Sequence, residues 1–151
     1  MTESSPLTGS CHCGAIRATF YPSKPPAELQ VRACHCSFCV RHGAKTTSDP
    51  AGRARFEIDG AALSWYRFET RTGTSLICNR CGTFAGGIIE DGDNVWSFVN
   101  ARGLNIAEFR HRVGEPKHYD AETLEQRVAR RRSMWTPTEI VWMSADGAGG
   151  R

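Results

Sequence analysis

The chain has 151 residues, of which 40% are hydrophobic and 23% are charged, and its formal net charge at pH 7 is +3. This length fits one ordinary domain, and the composition excludes both a disordered chain and a membrane protein. The apolar runs are too short for a transmembrane helix, and the net charge is too small to indicate nucleic-acid binding by itself. Because the polar N-terminus (MTESSPLTGS) lacks the pattern of a signal peptide, we expect a cytoplasmic location.

Most of the predicted elements are strands. Alternation of apolar and polar residues, together with turn signals, predicts strands over residues 15–21, 54–58, 62–68, 74–78, 94–99 and 138–143. Residues 54–58 and 62–68 are separated by a short turn that contains Asp59 and Gly60, so we expect these two strands to pair as a hairpin. The sequence therefore predicts a mainly antiparallel β domain.

Three helices are expected to accompany the strands. The first helix directly follows Cys36. The second spans 105–111, with Asn105 as a possible cap, and the third spans 121–132. We expect a single domain over 10–143, preceded by a flexible leader (1–9) and followed by a flexible tail (144–151).

The seven cysteines are clustered along the chain. The three groups are Cys11 and Cys13, then Cys34, Cys36 and Cys39, then Cys78 and Cys81. An odd number of cysteines in a chain without an export signal argues against a disulfide framework. Cysteines one or two residues apart in an intracellular protein are more typical of metal ligands.

The first and third groups complement each other. Cys11 and Cys13 would point to the same side of an extended strand, and Cys78 and Cys81 would meet at a tight turn that Gly82 permits. Together they offer four thiolates, which is the ligand set of a closed structural zinc site.

The middle group offers only three thiolates, from Cys34, Cys36 and Cys39. Three protein ligands are enough to hold zinc and leave a fourth position for water or substrate, as in catalytic zinc sites. Alternatively, His42 could close this site as a fourth ligand, whereas His35 would face away from it on an extended strand. The thiol count also permits an iron–sulfur cluster, although the knuckle at the third group favours zinc.

The cysteine motifs resemble those of a known family. GSCHCGAIR (9–17), ACHCSFC (33–39), CNRCG (78–82) and, less closely, VNARGLN (99–105) are similar in order and spacing to the glutathione-dependent formaldehyde-activating enzymes, a family that includes the centromere protein V domain. The resemblance implies a β-tent fold, in which small antiparallel sheets are organised around zinc.

The resemblance also implies an activity and two zinc ions. It implies a structural zinc held by Cys11, Cys13, Cys78 and Cys81, and a catalytic, more labile zinc held by Cys34, Cys36 and Cys39. The activity it implies is that of a carbon–sulfur lyase, in which glutathione and formaldehyde combine to S-hydroxymethylglutathione. The expected partner is therefore a small thiol such as glutathione or its adduct, with no membrane and no nucleic acid.

Further residues could serve such a reaction. His35 or His42 could move the proton that the carbonyl oxygen gains, although either could equally be an ordinary surface histidine. Basic side chains could hold the carboxylates of a glutathione-like substrate, and the candidates are Arg41, Lys45, Arg71, Arg80 and Arg102.

Two other classes of protein remain open. One is a non-enzymatic, zinc-stabilised module that binds protein or nucleic acid. Its support is the run Arg127, Arg130, Arg131 and Arg132, which we otherwise interpret as a solvated helix face. The other is a thiol redox protein that uses Cys78 and Cys81. The sequence carries no signal for the oligomeric state.

Overall fold

The computed structural model describes residues 5–68 and 72–143. The strands in these ranges are β1 (Leu7–Ser10), β2 (Ile16–Tyr21), β3 (Arg32–Cys34), β4 (Thr46–Thr47), β5 (Arg53–Ile58), β6 (Leu63–Tyr66), β7 (Thr74–Cys78), β8 (Phe84–Asp91), β9 (Asn94–Asn100), β10 (Glu115–Lys117) and β11 (Thr136–Trp142). The helices are α1 (Ser37–His42) and α2 (Leu124–Met134), and short 3₁₀ turns cover Pro26–Glu28, Gly60–Ala62 and Ala107–Phe109. The predicted mainly β fold with short helices is confirmed.

The strands form two groups that β11 connects. One group runs in the order β1, β2, β5, β11, and the other contains β9, β4, β3 and β10, with β8, β7 and β6 branching from β9. Thr136 and Pro137 pair with β9, whereas the rest of β11 pairs with β5. Pairing is antiparallel except where β11 meets β5 and where β10 meets β3. One strand therefore holds both groups in register.

The core lies beneath the strands that the apolar pattern predicted. Ile16, Ala18 and Phe20 of β2 are at most 2% exposed, and they pack with Phe56 and Ile58 of β5. Because side chains alternate along a strand, every second residue enters this core. Neither helix in the described ranges has the length and apolarity to cross a bilayer.

The expected hairpin over 54–58 and 62–68 is wrong. Both strands exist, but β5 pairs with β2 and β11, while β6 pairs with β7. The reason is the 3₁₀ turn Gly60–Ala62, whose first turn is capped by Asp59: its Oδ1 accepts a hydrogen bond from the backbone N of Ala61 at 3.1 Å. The chain therefore leaves β5 in a new direction instead of folding back on it.

Two smaller expectations also need correction, and a third is not tested. The helix over 105–111 is only the 3₁₀ turn Ala107–Phe109, and Asn105 does not cap it but adopts a φ of +52°. Residues 7–9 of the expected leader (1–9) belong to β1, which begins at Leu7 and pairs with β2. The predicted tail, 144–151, lies outside the described residues.

The C-terminal part of the chain returns to the middle cysteine group. β10 pairs in parallel with β3, where Lys117 lies opposite Cys34, and the backbone N of His35 donates to the Lys117 carbonyl at 2.8 Å. Helix α2 then begins at a capping box: the Thr123 hydroxyl accepts from the backbone N of Gln126 at 3.1 Å. The Gln126 side chain accepts in return from the backbone N of Thr123 at 2.9 Å.

Replacement of Thr123 by alanine should lower the free energy of unfolding by about 1 kcal/mol, because the backbone N–H of Gln126 at the helix start loses its acceptor. Urea denaturation measures this difference. Thr123→Ser is the matched control and should retain most of the stability. Equal stability of Thr123→Ala and the unmodified protein would contradict the role given to this cap.

Candidate metal centres and adjoining cavity

Cys11, Cys13, Cys78 and Cys81 form one compact group of sulfur atoms. All four sulfurs lie within 4.8 Å of one another; the Cys11–Cys13 distance is 3.8 Å and the Cys13–Cys78 distance is 3.5 Å. Zinc–thiolate bonds of about 2.3 Å in a tetrahedron place the sulfurs about 3.8 Å apart. The spacing of this group therefore fits a metal ion bound by four sulfurs.

Two turns bring these four sulfurs together. Cys11 and Cys13 lie in the turn between β1 and β2, and not in the extended strand that we expected. In this turn the backbone N of Gly14 donates to the Cys11 carbonyl at 3.0 Å. At the other turn, the backbone N of Gly82 donates to the Cys78 carbonyl at 2.8 Å. Gly82 has a φ of +80°, which a residue with a side chain adopts only at a cost. The predicted knuckle is confirmed.

The surroundings of these sulfurs push their pKa values apart. Burial raises the pKa of Cys78 to about 12. Burial also acts on Cys81, but the hydroxyl of Thr83, 3.2 Å from its sulfur, and nearby backbone N–H groups outweigh that effect and lower its pKa to about 5. Four thiolates at these distances repel each other strongly, so only a bound cation would allow all four to be ionised together.

Cys34, Cys36 and Cys39 form the second group, and their sulfurs also lie within 4.8 Å of one another. Cys34 ends β3, Cys36 is the N-cap residue of α1, and Cys39 lies in the first turn of that helix. The Cys36 sulfur accepts a hydrogen bond from the backbone N of Cys39 at 3.3 Å. Hydrogen bonds with Cys34 and Cys39 lower the pKa of Cys36 to about 2, whereas those with Cys34 and Cys36 raise the pKa of Cys39.

Neither histidine near this group joins its sulfurs. Among the described residues, the group contains no imidazole nitrogen and no carboxylate oxygen within that radius. His42 packs instead on the rings of Phe38 and Phe84, with centroid distances of 4.6 and 5.3 Å. His35 is exposed and packs on the ring of His118 at 4.5 Å. A tetrahedral ion held by these three sulfurs would therefore keep one position that the described protein does not fill.

A cavity of about 420 Å³ opens onto the three-sulfur group. One wall is aromatic and contains Phe38, Phe68, Phe84, Phe98 and Trp135. We call these five residues the aromatic wall. The ring of Phe98 fits closely against β8 because residue 87 is glycine: a Cβ there would lie 2.6 Å from Cε1 of Phe98. The cavity lining also includes four arginines, Arg32, Arg127, Arg130 and Arg131, which we call the arginine cluster.

The arginine cluster corrects the interpretation of this run as a solvated face. Arg127 is only 7% exposed, and both Arg127 and Arg130 contact the carboxylate of Glu122, at 3.4 and 2.7 Å. Burial would raise the pKa of Glu122, but the hydrogen bond and charge of Arg130, with those of Arg127, lower it. Arg132 points elsewhere and pairs with Asp91.

The sequence indicates part of this arrangement. The capping box at Thr123 fixes the start of the helix, and Arg127 and Arg131, four residues apart, therefore lie on one helix face; the sequence does not indicate that this face meets the cavity. The fourth member, Arg32, comes from β3, is 6% exposed and donates to the Ser48 hydroxyl at 2.8 Å. Burial lowers its pKa.

The basic residues that we had expected to hold carboxylates lie away from this cavity. The Arg41 guanidinium donates to the Ser37 carbonyl at 2.8 Å on an exposed part of α1, and Arg80 pairs with Asp59 at 3.0 Å. Neither they nor Lys45 line it, and Arg102 lines a separate cavity beside Cys11. Arg71 lies outside the described residues. His35 lines the cavity, whereas His42 does not.

This fold and its two sulfur groups define a class: a mainly β domain with two cysteine clusters that could each hold a metal ion. A family model described as glutathione-dependent formaldehyde-activating enzyme matches residues 6–105, and the chain belongs to this family. The crystal structure of a Rhodobacter sphaeroides protein from a structural genomics programme is similar, with 28% sequence identity and a TM-score of 0.56. The likeness covers 72% of this chain and 97% of that one.

Replacement of Glu122 by glutamine should lower the free energy of unfolding by about 2 kcal/mol at pH 7, because two guanidinium groups lose their shared carboxylate. The pKa of Glu122 is lowered in the folded protein. Its ion pairs therefore contribute fully to the free energy of unfolding above the ordinary pKa of 4.5, and this contribution is lost as the pH falls below that value. The difference between the two proteins should therefore shrink in acid.

Chemical denaturation at a series of pH values tests this expectation. Glu125→Gln, at an exposed position in the first turn of α2, controls for the loss of one acidic residue and for any loss of metal in acid. If the stability difference between Glu122→Gln and the unmodified protein were the same at pH 7 and well below pH 4.5, the assigned ion pairs would be wrong.

Proposed function

We propose that the chain is a zinc-dependent enzyme of the carbon–sulfur lyase type, which acts on a thiol adduct like the one that glutathione forms with formaldehyde. The observation that carries the proposal is the three-sulfur group of Cys34, Cys36 and Cys39, which lies at a cavity large enough for a small substrate. Membership of the formaldehyde-activating family supports the same activity. We further propose that the protein acts in the cytoplasm.

The two sulfur groups would have different roles. The first group offers four ligands, from Cys11, Cys13, Cys78 and Cys81. These would complete the tetrahedral coordination of a metal ion and leave no coordination position for a substrate. The three-sulfur group leaves one position open. Zinc bound there would supply Lewis acidity and would favour the thiolate form of a substrate thiol. We therefore assign the first group to structure and the second to catalysis.

The reaction that fits this site is the reversible addition of a thiol to an aldehyde. In the forward direction a sulfur–carbon bond forms, the carbonyl π bond breaks, and the carbonyl oxygen gains the proton that the thiol lost. In the reverse direction the same bond breaks and yields thiol and aldehyde. Between the two histidines considered, His35 is the better candidate to carry the proton, because it lines the cavity while His42 packs on Phe38 and Phe84.

The alternative, a non-enzymatic module that binds protein or nucleic acid, loses its main support. Its basis was a free basic helix face, but Arg127, Arg130 and Arg131 line the cavity and Arg132 pairs with Asp91. The phosphate backbone of a nucleic acid would therefore contact few of these arginines. The redox alternative would require Cys78 and Cys81 to pair with each other, whereas both also lie beside Cys11 and Cys13.

Replacement of Cys36 by serine should reduce bound zinc by about one ion per chain, because one of three ligands is lost, and should leave the fold intact. Zinc is measured by elemental analysis of freshly prepared protein. Cys13→Ser is the matched control: it should also reduce zinc by about one ion, but it should destabilise the fold, because its group connects distant parts of the chain.

The two variants should also separate in thiol binding. In cobalt-substituted protein, glutathione should change the absorption spectrum of the unmodified chain and of folded Cys13→Ser, but not of Cys36→Ser. The matching activity assay follows release of aldehyde from S-hydroxymethylglutathione at a rate above the uncatalysed one. A Cys36→Ser protein with unchanged zinc content and an unchanged response to glutathione would overturn the proposal.

A further inference from the structure

We propose that the natural substrate of this cavity is a thiol adduct with an apolar body, such as an aromatic ring, and a carboxylate at the far end, and not a polar peptide thiol. The inference rests on the proposed function only for the sulfur end of the ligand. The other two parts, the apolar body and the carboxylate, are derived from the aromatic wall and the arginine cluster.

The aromatic wall is continuous from the three-sulfur group to the end of α2. Phe38 lies between Cys36 and Cys39 in the chain, and its ring contacts Phe68 at a centroid distance of 5.1 Å and Phe84 at 4.8 Å. The wall continues from Phe84 to Phe98 at 6.0 Å and from Phe98 to Trp135 at 4.8 Å. A ligand bound through sulfur would therefore lie along aromatic surface, which favours an apolar body over a hydrated peptide backbone.

The arginine cluster begins where the aromatic wall ends. The guanidinium carbon of Arg131 lies 5.1 Å from the ring centre of Trp135, and that of Arg130 lies 3.6 Å from the ring centre of Tyr119. Arg131 also donates to the Thr72 hydroxyl at 2.6 Å. A ligand that follows the wall would thus present its far end to guanidinium groups, which are suited to bind carboxylates.

A buried guanidinium strengthens this assignment. Arg32 is 6% exposed, lines the cavity, and makes no ion pair with any carboxylate in the described ranges; its partner is the neutral hydroxyl of Ser48. A buried charge without a counter-ion is costly, and an anionic ligand would relieve that cost.

The experiment uses sulfur-free probes on the zinc-loaded protein, so that it does not depend on the chemistry of the thiol adduct. We expect 3-phenylpropionate to bind at least about tenfold more tightly than the neutral 3-phenylpropanamide, since a charge-assisted hydrogen bond is worth that much. Isothermal titration calorimetry measures both affinities. Equal affinity of the acid and the amide, or no binding of either, would overturn the inference.

Variants locate the carboxylate. Arg131→Gln should weaken the binding of 3-phenylpropionate about tenfold and leave the affinity for the amide unchanged. Arg132→Gln is the matched control, because it removes the adjacent guanidinium, which pairs with Asp91 outside the cavity, and should change neither affinity. If Arg131→Gln does not fold, the acid–amide comparison in the unmodified protein still decides. An equal loss in both variants would indicate general electrostatics and would contradict the assigned position.

A second comparison separates this inference from the proposed function. In cobalt-substituted protein, 3-(4-mercaptophenyl)propionate should change the absorption spectrum at a lower concentration than glutathione does, and it should displace bound glutathione. Preference for glutathione would overturn the inference and leave the lyase proposal intact. Binding of the sulfur-free acid without any effect of either thiol on the cobalt spectrum would support the inference and contradict the proposed function.

Discussion

The crowding of sulfur atoms is the constraint on which the structure depends. Cys13 and Cys78 are 65 positions apart in sequence, yet their sulfurs lie 3.5 Å apart. Thiolates at this distance repel one another unless a cation lies among them, and with a cation the same contact becomes a crosslink that closes a long loop. The crosslink joins the turn after β1 to the turn after β7, which belong to different groups of strands. A bound metal would thus reinforce the connection that β11 makes by backbone pairing.

The partition of the cysteines could be predicted because it depends on local spacing. Two cysteines one or two residues apart must lie close together, so counting ligands was sufficient to separate four from three. It was sufficient even where the local conformation was misjudged, as at Cys11 and Cys13, which meet across a turn and not along a strand. The strand β2 was predictable for a similar reason, since alternation alone placed Ile16, Ala18 and Phe20 on the buried face.

The errors have a different origin, because each concerns a partner that is distant in sequence. The hairpin failed because a cap at Asp59 redirects the chain, and the true partner of β6 lies beyond residue 72. The arginine run was assigned to solvent because nothing near it in sequence indicates that β10 pairs with β3. That pairing, of only three residues on each strand, brings α2 back to the cysteines. Propensity within a window could not reveal it, since parallel pairing joins segments that share no turn.

The cavity combines residues from two regions of the chain. All seven cysteines, Arg32 and four of the five residues of the aromatic wall lie within residues 6–105, which the family model covers, whereas Trp135 and the other three members of the arginine cluster lie after them. Polar contacts hold the second region against the first: the Ser48 hydroxyl accepts from Arg32 at 2.8 Å and donates to the Met134 carbonyl at 2.7 Å. Because Arg32 and Cys34 are two residues apart on β3 and therefore lie on the same face, one short strand contributes both a charged side chain and a sulfur atom to the cavity. A change in the C-terminal segment could therefore alter which ligand is accepted while the sulfur groups stay in place.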